Sequence, residues 1–250
     1  MQQGIQEILN RKHSSGEAEN KRKEISRNLI SASDRINGKS IHTISTADLE
    51  LLFGLYDRIF LDHWFHRYYR GNLRFSLSDR MTKSAGKTIC RRDIHQTRPE
   101  EMVIEIRIGV DFLFQYDQIE GGKTVCGIRT SNSLEALQLV FEHELCHAVE
   151  FILFGKSSCA QQRFKTLANN LFGHMESYHR LPTYKQIASQ KFGLQIGDVI
   201  SFPFDGTELT GILYNINKRA TVLVRDPEGA LADKHGDRYT KFYVPLELLK

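Results

Sequence analysis

The sequence predicts an α+β domain followed by a small antiparallel β-barrel. Three observations carry that expectation. A helically spaced apolar stretch from Asn132 to Gly155 contains His143-Glu144-Leu145-Cys146-His147, two strand-like runs lie upstream of it, and short alternating segments follow Gly193. At 250 residues the chain exceeds the common domain size, so a larger domain with a smaller one appended is the natural division.

Taken in order, residues 1–44 are polar, with a Lys21-Arg22-Lys23 cluster and scattered apolar residues such as Ile5, Ile8, Leu9 and Ile30. They are expected to form a basic, loosely structured or partly helical arm, the cluster lying on a solvated face or touching nucleic acid. From Thr46, a plausible N-cap, Leu49, Leu52, Phe53, Tyr56, Ile59 and Phe60 repeat at helical spacing, with Trp64 and Phe65 beyond. A strand is expected over Leu73–Ser78. After a glycine turn and a polar loop comes a second strand, Met102–Val110, with β-branched Val103, Ile104, Ile106 and Ile108.

The turn formers Glu120-Gly121-Gly122-Lys123 precede Asn132, which can cap a helix with Glu135 three residues on. That helix runs through Leu134, Leu137, Val140, Phe141, Leu145, Val149 and Ile152 to Gly155. A further helix is expected over Gln161–Phe172, ending at Gly173, with Pro182 opening a connection. Strands are then expected at Val199–Phe204, Leu209–Ile216, Ala220–Val224 and Tyr239–Val244, the first pair joined by the turn Asp205-Gly206.

Composition narrows the function classes. With 34 basic and 30 acidic residues the net charge is +4, too balanced to demand nucleic-acid binding. Cys90, Cys126, Cys146 and Cys159 form no Cys-x-x-Cys pair, which argues against a disulfide framework or a cysteine zinc ribbon. No apolar run approaches the roughly 20 residues of a membrane helix, and the N-terminus lacks the apolar segment of a secretory signal. A cytoplasmic protein is expected, with association to a nucleoid or nucleus compatible.

His143 and His147, four residues apart on a helix, project from one face and can reach a single metal ion. Glu144 lies beside them. In this spacing the carboxylate does not bind zinc but takes a proton from water activated by the metal and returns it to the leaving amine. The pattern arises by chance about 0.03 times in a chain of this composition, so coincidence is a poor explanation. Cys146, inside the motif, is expected to pack rather than react. Tyr178 and Tyr184 are weak candidates for stabilising an oxyanion.

Beyond the motif, Ser78-Asp79-Arg80-Met81-Thr82-Lys83-Ser84-Ala85-Gly86-Lys87, Trp64 upstream, and Phe164-Lys165-x-Leu167-Ala168-Asn169-Asn170-Leu171-Phe172-Gly173-His174 resemble the SprT-like metalloproteases over roughly residues 46–180. The resemblance implies a zincin-like metalloprotease domain over residues 45–182, with Zn2+ as cofactor and proteins, including those attached to DNA, as substrates. One departure stands out. The family's third zinc ligand is a His four residues before the Phe matching Phe164, where this chain has Ala160 followed by Gln161. Cys159, one residue earlier, is the first choice to replace it, because a thiolate is a good zinc ligand. His174, Glu176 and His179 are the alternatives. The bland readings are Cys159 as apolar filler and His174 as a helix cap.

Residues 193–250 resemble the small SH3- or KOW-like barrels of bacterial members. Lys218, Arg219, Arg225, Lys234, Arg238 and Lys241 could line a rim that contacts phosphates, although no aromatic residue is seen to interleave with them. The reading that results is a zinc metallopeptidase with Glu144 as general base, metal ligands His143, His147 and Cys159, and DNA as a partner of the basic arm and barrel. The competing reading is a nucleic-acid-associated binding protein whose zinc is structural. The Met102–Val110 strand is a candidate for the sheet edge that aligns an extended substrate, with an interior position the alternative.

Overall fold

A computed structural model describes residues 2–81, 84–118 and 120–250; Thr82 and Lys83 of the upstream family-like segment lie outside the described residues. The chain divides into two compact units, Met1–Leu181 and Pro182–Lys250.

The first unit opens with α1 (Gln2–Asn10) and α2 (Ser15–Ala32), the latter started by a capping box between Ser14 and Glu17. Of the two forms expected for this arm, loosely structured or partly helical, these helices give the second, and they are packed rather than free. Ile8, Ala18, Ile25 and Leu29 are buried in the same core as the rest of the unit, and Trp64 donates its indole N–H to the Gly4 carbonyl at 2.7 Å. The basic cluster has local partners too: Lys21 bonds the Ile59 carbonyl, Arg22 turns into the core, and Lys23 pairs with Glu19. Helix α3 (Thr46–Ile59) begins with Ser45 as its cap, in a box with Asp48, so Thr46 is the first helical residue rather than the N-cap. Short α4 (Trp64–Tyr68) follows.

Strands β1 (Asn72–Ser78), β2 (Gly86–Cys90) and β3 (Val103–Gly109) form a sheet in the order β1-β3-β2, with β1 parallel and β2 antiparallel to β3. The segment expected to be only a polar loop therefore contains a strand, and β3 is central. Strands β1 and β2 are the two edges, each pairing on one side only among the described residues, and β2 is the one that lies against α6. Helix α5 (Val110–Phe114) leads to the hairpin β4 (Lys123–Val125) and β5 (Ile128–Thr130).

Helix α6 (Ser133–Phe154) is capped by Asn132, whose side chain accepts the Glu135 N–H, and stops at Gly155 in the left-handed conformation, φ 65°. It is buried on almost every face, which explains its nearly continuous apolar sequence. It lies against β2 and β3 on one side and against α2 and α7 (Gln162–Phe172) on others. The two-residue strand β6 (His179–Arg180) adds to the free side of β4.

The second unit begins with α8 (Tyr184–Phe192), a helix absent from the expectations although Thr183 and Gln186 form a clear capping box. Strands β7 (Val199–Phe204), β8 (Thr207–Ile216), β9 (Ala220–Arg225), β10 (Leu231–Ala232) and β11 (Arg238–Val244) make one antiparallel sheet ordered β10-β11-β9-β8-β7. Asp205 and Gly206, with φ of 48° and 75°, make the tight β7–β8 turn. Lys250 exchanges both backbone hydrogen bonds with Ser201 of β7, at 3.1 and 3.0 Å, so the far edge of the sheet is met by the chain returning from β11. Phe202, Leu213, Ile216 and Val222 fill the interior.

Candidate metal centre

The i, i+4 spacing on α6 places the His143 and His147 rings 4.9 Å apart, with their Nε2 atoms separated by 3.2 Å. Phe164 of α7 covers both rings, at 4.8 and 4.4 Å. Burial makes these imidazoles poor bases. His143 is pushed down to about 2 by burial and by the neighbouring His179, His147 and His174, and His147 is pushed to about 4 by burial. Both are neutral near pH 7, the form that ligates a metal.

Their outer nitrogens are engaged. Ser157 donates to Glu150 Oε2 at 2.6 Å, which leaves its oxygen to accept from His147 Nδ1, also at 2.6 Å. His143 Nδ1 faces Cys126 Sγ at 3.7 Å. With a proton on each Nδ1, the two Nε2 lone pairs point toward each other, a repulsive arrangement that a cation relieves. Two ligands on one tetrahedral zinc are separated by about 3.3 Å, so the observed spacing suits zinc.

Cys126 occupies the first position of the two-residue β4–β5 turn at φ 53°. A left-handed conformation costs a non-glycine residue on the order of 1 kcal/mol, and here it goes with a thiol set 3.7 Å from His143 Nδ1.

Gly155 reverses the chain at the end of α6 and starts the loop that brings Cys159 back along the helix. Glu150, fully buried, organises that loop: it accepts from Ser157, from the Ser158 N–H at 3.3 Å and from Arg163 Nε at 2.6 Å. The ligand atoms of His143, His147 and Cys159 all lie within 4.8 Å of one another. Among the described residues one other such group occurs, Cys126 with His143 and His179.

The downstream alternatives separate. His174 Nε2 is 2.8 Å from Glu142 Oε2 and its backbone N–H meets the Ala168 carbonyl at 3.3 Å at the end of α7, in keeping with the cap reading, while its buried Nδ1 has no partner among the described residues and the side chain joins neither cluster. Glu176 lies 3.9 Å from Arg180 and also stays outside both clusters. Tyr178 bonds Arg180 through its hydroxyl, and Tyr184 belongs to the second unit. Cys146 is fully buried as packing.

Glu144 points toward β2. Thr88 donates its hydroxyl to Oε2 at 2.7 Å, and Gly86 makes room: a Cβ there would meet Glu144 Oε1 at 2.7 Å and Val140 at 2.9 Å. Burial pushes the Glu144 carboxyl up to about 7, against the Thr88 hydrogen bond. A nearby cation acts in the opposite direction, favouring the carboxylate.

The residue before the motif anchors the helix. Glu142, without exposed surface, accepts from Arg22 through Nε at 2.8 Å and Nη2 at 2.7 Å, from the Tyr56 hydroxyl at 2.7 Å and from His174. Burial opposes its ionisation, but the Arg22 charge and these bonds outweigh that and hold its carboxyl below the usual range. Sequence reasoning missed Glu142, Glu150, Ser157, Thr88 and Cys126. The readable hint was two acids, Glu142 and Glu150, on an otherwise apolar helix.

Among the described residues no helix is long and apolar enough to cross a membrane. Comparison with curated proteins finds no match, and comparison with solved structures finds none either. Comparison with family models matches residues 52–185 to the SprT-like family, from the middle of α3 to the start of α8 and across the whole histidine cluster. That segment is more than half of the chain, so a zincin-like α+β domain with a histidine pair on its central helix is the fold of a chain that belongs to the SprT-like family.

Proposed function

We propose that this chain is a zinc-dependent peptidase in which His143, His147 and Cys159 hold the metal and Glu144 is the general base. The observation that carries the reading is the pair of opposed Nε2 atoms at 3.2 Å, with the Cys159 thiol in the same cluster and Glu144 held beside it by Thr88. Bound zinc supplies Lewis acidity, polarising a carbonyl and lowering the pKa of water toward 7. Glu144 then accepts a proton from the attacking water and passes it to the departing amine nitrogen as the C–N bond breaks. Thr88 and the absent Cβ at Gly86 fix where that carboxylate sits. The free edge of β2, next to Glu144, offers backbone groups to an extended peptide, the role expected for the Met102–Val110 strand and better suited to β2.

A structural zinc site has no use for a buried carboxylate aimed past its ligands, and this favours the enzyme over a binding protein. The test is hydrolysis of an unfolded protein such as casein by the zinc-loaded chain, abolished by a chelator and restored by zinc. Absence of any cleavage at full zinc occupancy rejects the peptidase.

DNA-associated proteins are the proposed substrate class. Arg22 and Lys21 are committed inside the first unit, so the second unit is the better candidate for DNA. Lys218, Arg219, Lys234 and Lys241 are exposed there, as are Arg225, which pairs with Asp237, and Arg238, which bonds the Gly229 carbonyl. Exposed Tyr243 follows Lys241 by two residues on β11, so the two share a face and an aromatic does interleave with the charges.

A further inference from the structure

One imidazole near the metal cluster has no assigned work. Strand β6 pairs His179 with Val125 and Arg180 with Thr124 of β4. Tyr178 and Arg180 lie outward and bond each other at 2.8 Å, so strand alternation turns His179 inward. Its ring stands edge-on to His143, with centroids 5.1 Å apart and planes at 81°. His179 Nε2 is buried and, among the described residues, without a hydrogen-bond partner.

Leaving such a nitrogen unpaired costs about 1–3 kcal/mol, and an apolar side chain could fill the same space without that cost. A buried nitrogen without a protein partner is therefore matched to a partner that arrives with substrate or metal. The cluster of His143, His147 and Cys159 supplies three protein ligands without it, the number a catalytic zinc site normally has. His179 groups instead with His143 and Cys126, beside the ligand set but outside it. A donor in that place, excluded from water, is suited to an oxygen that gains negative charge next to the metal.

We propose that His179 is a catalytic residue whose imidazole N–H donates a hydrogen bond to the scissile carbonyl oxygen as that carbon becomes tetrahedral. This rests on the peptidase reading above. The donor is stronger for the tetrahedral species than for the planar carbonyl, because the oxygen carries more charge there, so its removal weakens turnover more than substrate binding.

The experiment uses the full zinc-loaded chain as wild type, His179→Phe and His179→Gln. Zinc affinity is measured by chelator competition, and binding of a peptide phosphonamidate, a tetrahedral mimic, and of the matching uncleaved peptide is measured by calorimetry in a Glu144→Gln background. The expected result is zinc affinity within about threefold of wild type in both variants. Phosphonamidate affinity should fall about 100-fold in His179→Phe and partly recover in His179→Gln, with peptide affinity little changed.

A tenfold or larger loss of zinc affinity in both variants makes His179 a ligand and overturns the proposal. Unchanged phosphonamidate affinity makes it mere packing and overturns it equally. Tight phosphonamidate binding that depends on His179, in a wild-type chain that cleaves no peptide, defeats the peptidase reading while leaving the donor in place.

Discussion

Arg22 of α2 and Glu142 of α6 are joined by two parallel hydrogen bonds, 2.8 and 2.7 Å long, at a carboxylate with no exposed surface. Glu142 immediately precedes His143, so the N-terminal helix sets the rotation of the helix that aims both histidines. Removing one partner strands a buried charge, which costs about 3–5 kcal/mol. Arg22→Met is expected to lose that much in urea unfolding, and Arg22→Met with Glu142→Gln to recover part of it. A loss under about 1 kcal/mol in the single variant would show the pair to be incidental.

The general base is tested by two substitutions at different distances from the chemistry. Glu144→Gln should keep zinc and fold while lowering kcat at least about 100-fold, because an amide neither accepts nor returns the proton. Gly86→Ala should produce a similar loss by a different route, since the new Cβ occupies the space of the Glu144 carboxylate. Zinc content by mass spectrometry separates both from loss of the metal, and full activity in Gly86→Ala refutes the placement of Glu144.

Cys159 should be the replaceable ligand. Cys159→Ser is expected to weaken zinc at least tenfold, and Cys159→His to retain more of the affinity, as read by chelator competition. Cobalt substitution gives an independent signature: a thiolate ligand produces an intense near-ultraviolet charge-transfer band, which should vanish in Cys159→Ser. Persistence of that band in Cys159→Ser and its loss in Cys126→Ser would move the thiolate to Cys126.

The loop that carries Cys159 depends on Glu150. Glu150→Gln removes the charge that holds Arg163 and weakens the bond to Ser157, so zinc affinity should fall by about 10-fold although Glu150 touches no metal. Equal affinity in wild type and variant contradicts that account.

DNA binding by the second unit is expected to be insensitive to sequence and to fall steeply with salt. Lys218→Glu with Lys241→Glu should abolish binding at low salt while leaving casein cleavage unchanged. Tyr243→Ala should weaken single-stranded DNA more than duplex. Binding unaltered in the charge-reversed chain removes the barrel from the DNA reading.

Local signals were the legible ones. Asn132 and Gly155 bracket α6 in sequence as they do in space, and the Asp205-Gly206 turn locates the β7–β8 hairpin. Strand β2 was hidden because Lys87 and Thr88 leave only Ile89 and Cys90 as apolar residues; pairing with β3 imposes its conformation. The N-terminal helices were undervalued because α2 buries so few residues. Ala18, Ile25 and Leu29 nevertheless follow a spacing of seven and four, which is a helical stripe. The His-Glu-x-x-His pattern announced itself and His179 stood among the downstream alternatives, whereas Ser157 and Cys126 reach the histidines through tertiary contacts that no short spacing encodes.

Strand β2 has one more consequence. An open edge hydrogen-bonds only a chain that is itself extended and has its own backbone groups free, so a natively folded target is invisible until it opens locally. Each 1.4 kcal/mol of local stability in the target then slows cleavage about tenfold, whatever its sequence. Discrimination of this kind sorts proteins by foldedness: damaged or stalled chains are cut, and intact neighbours on the same scaffold are spared.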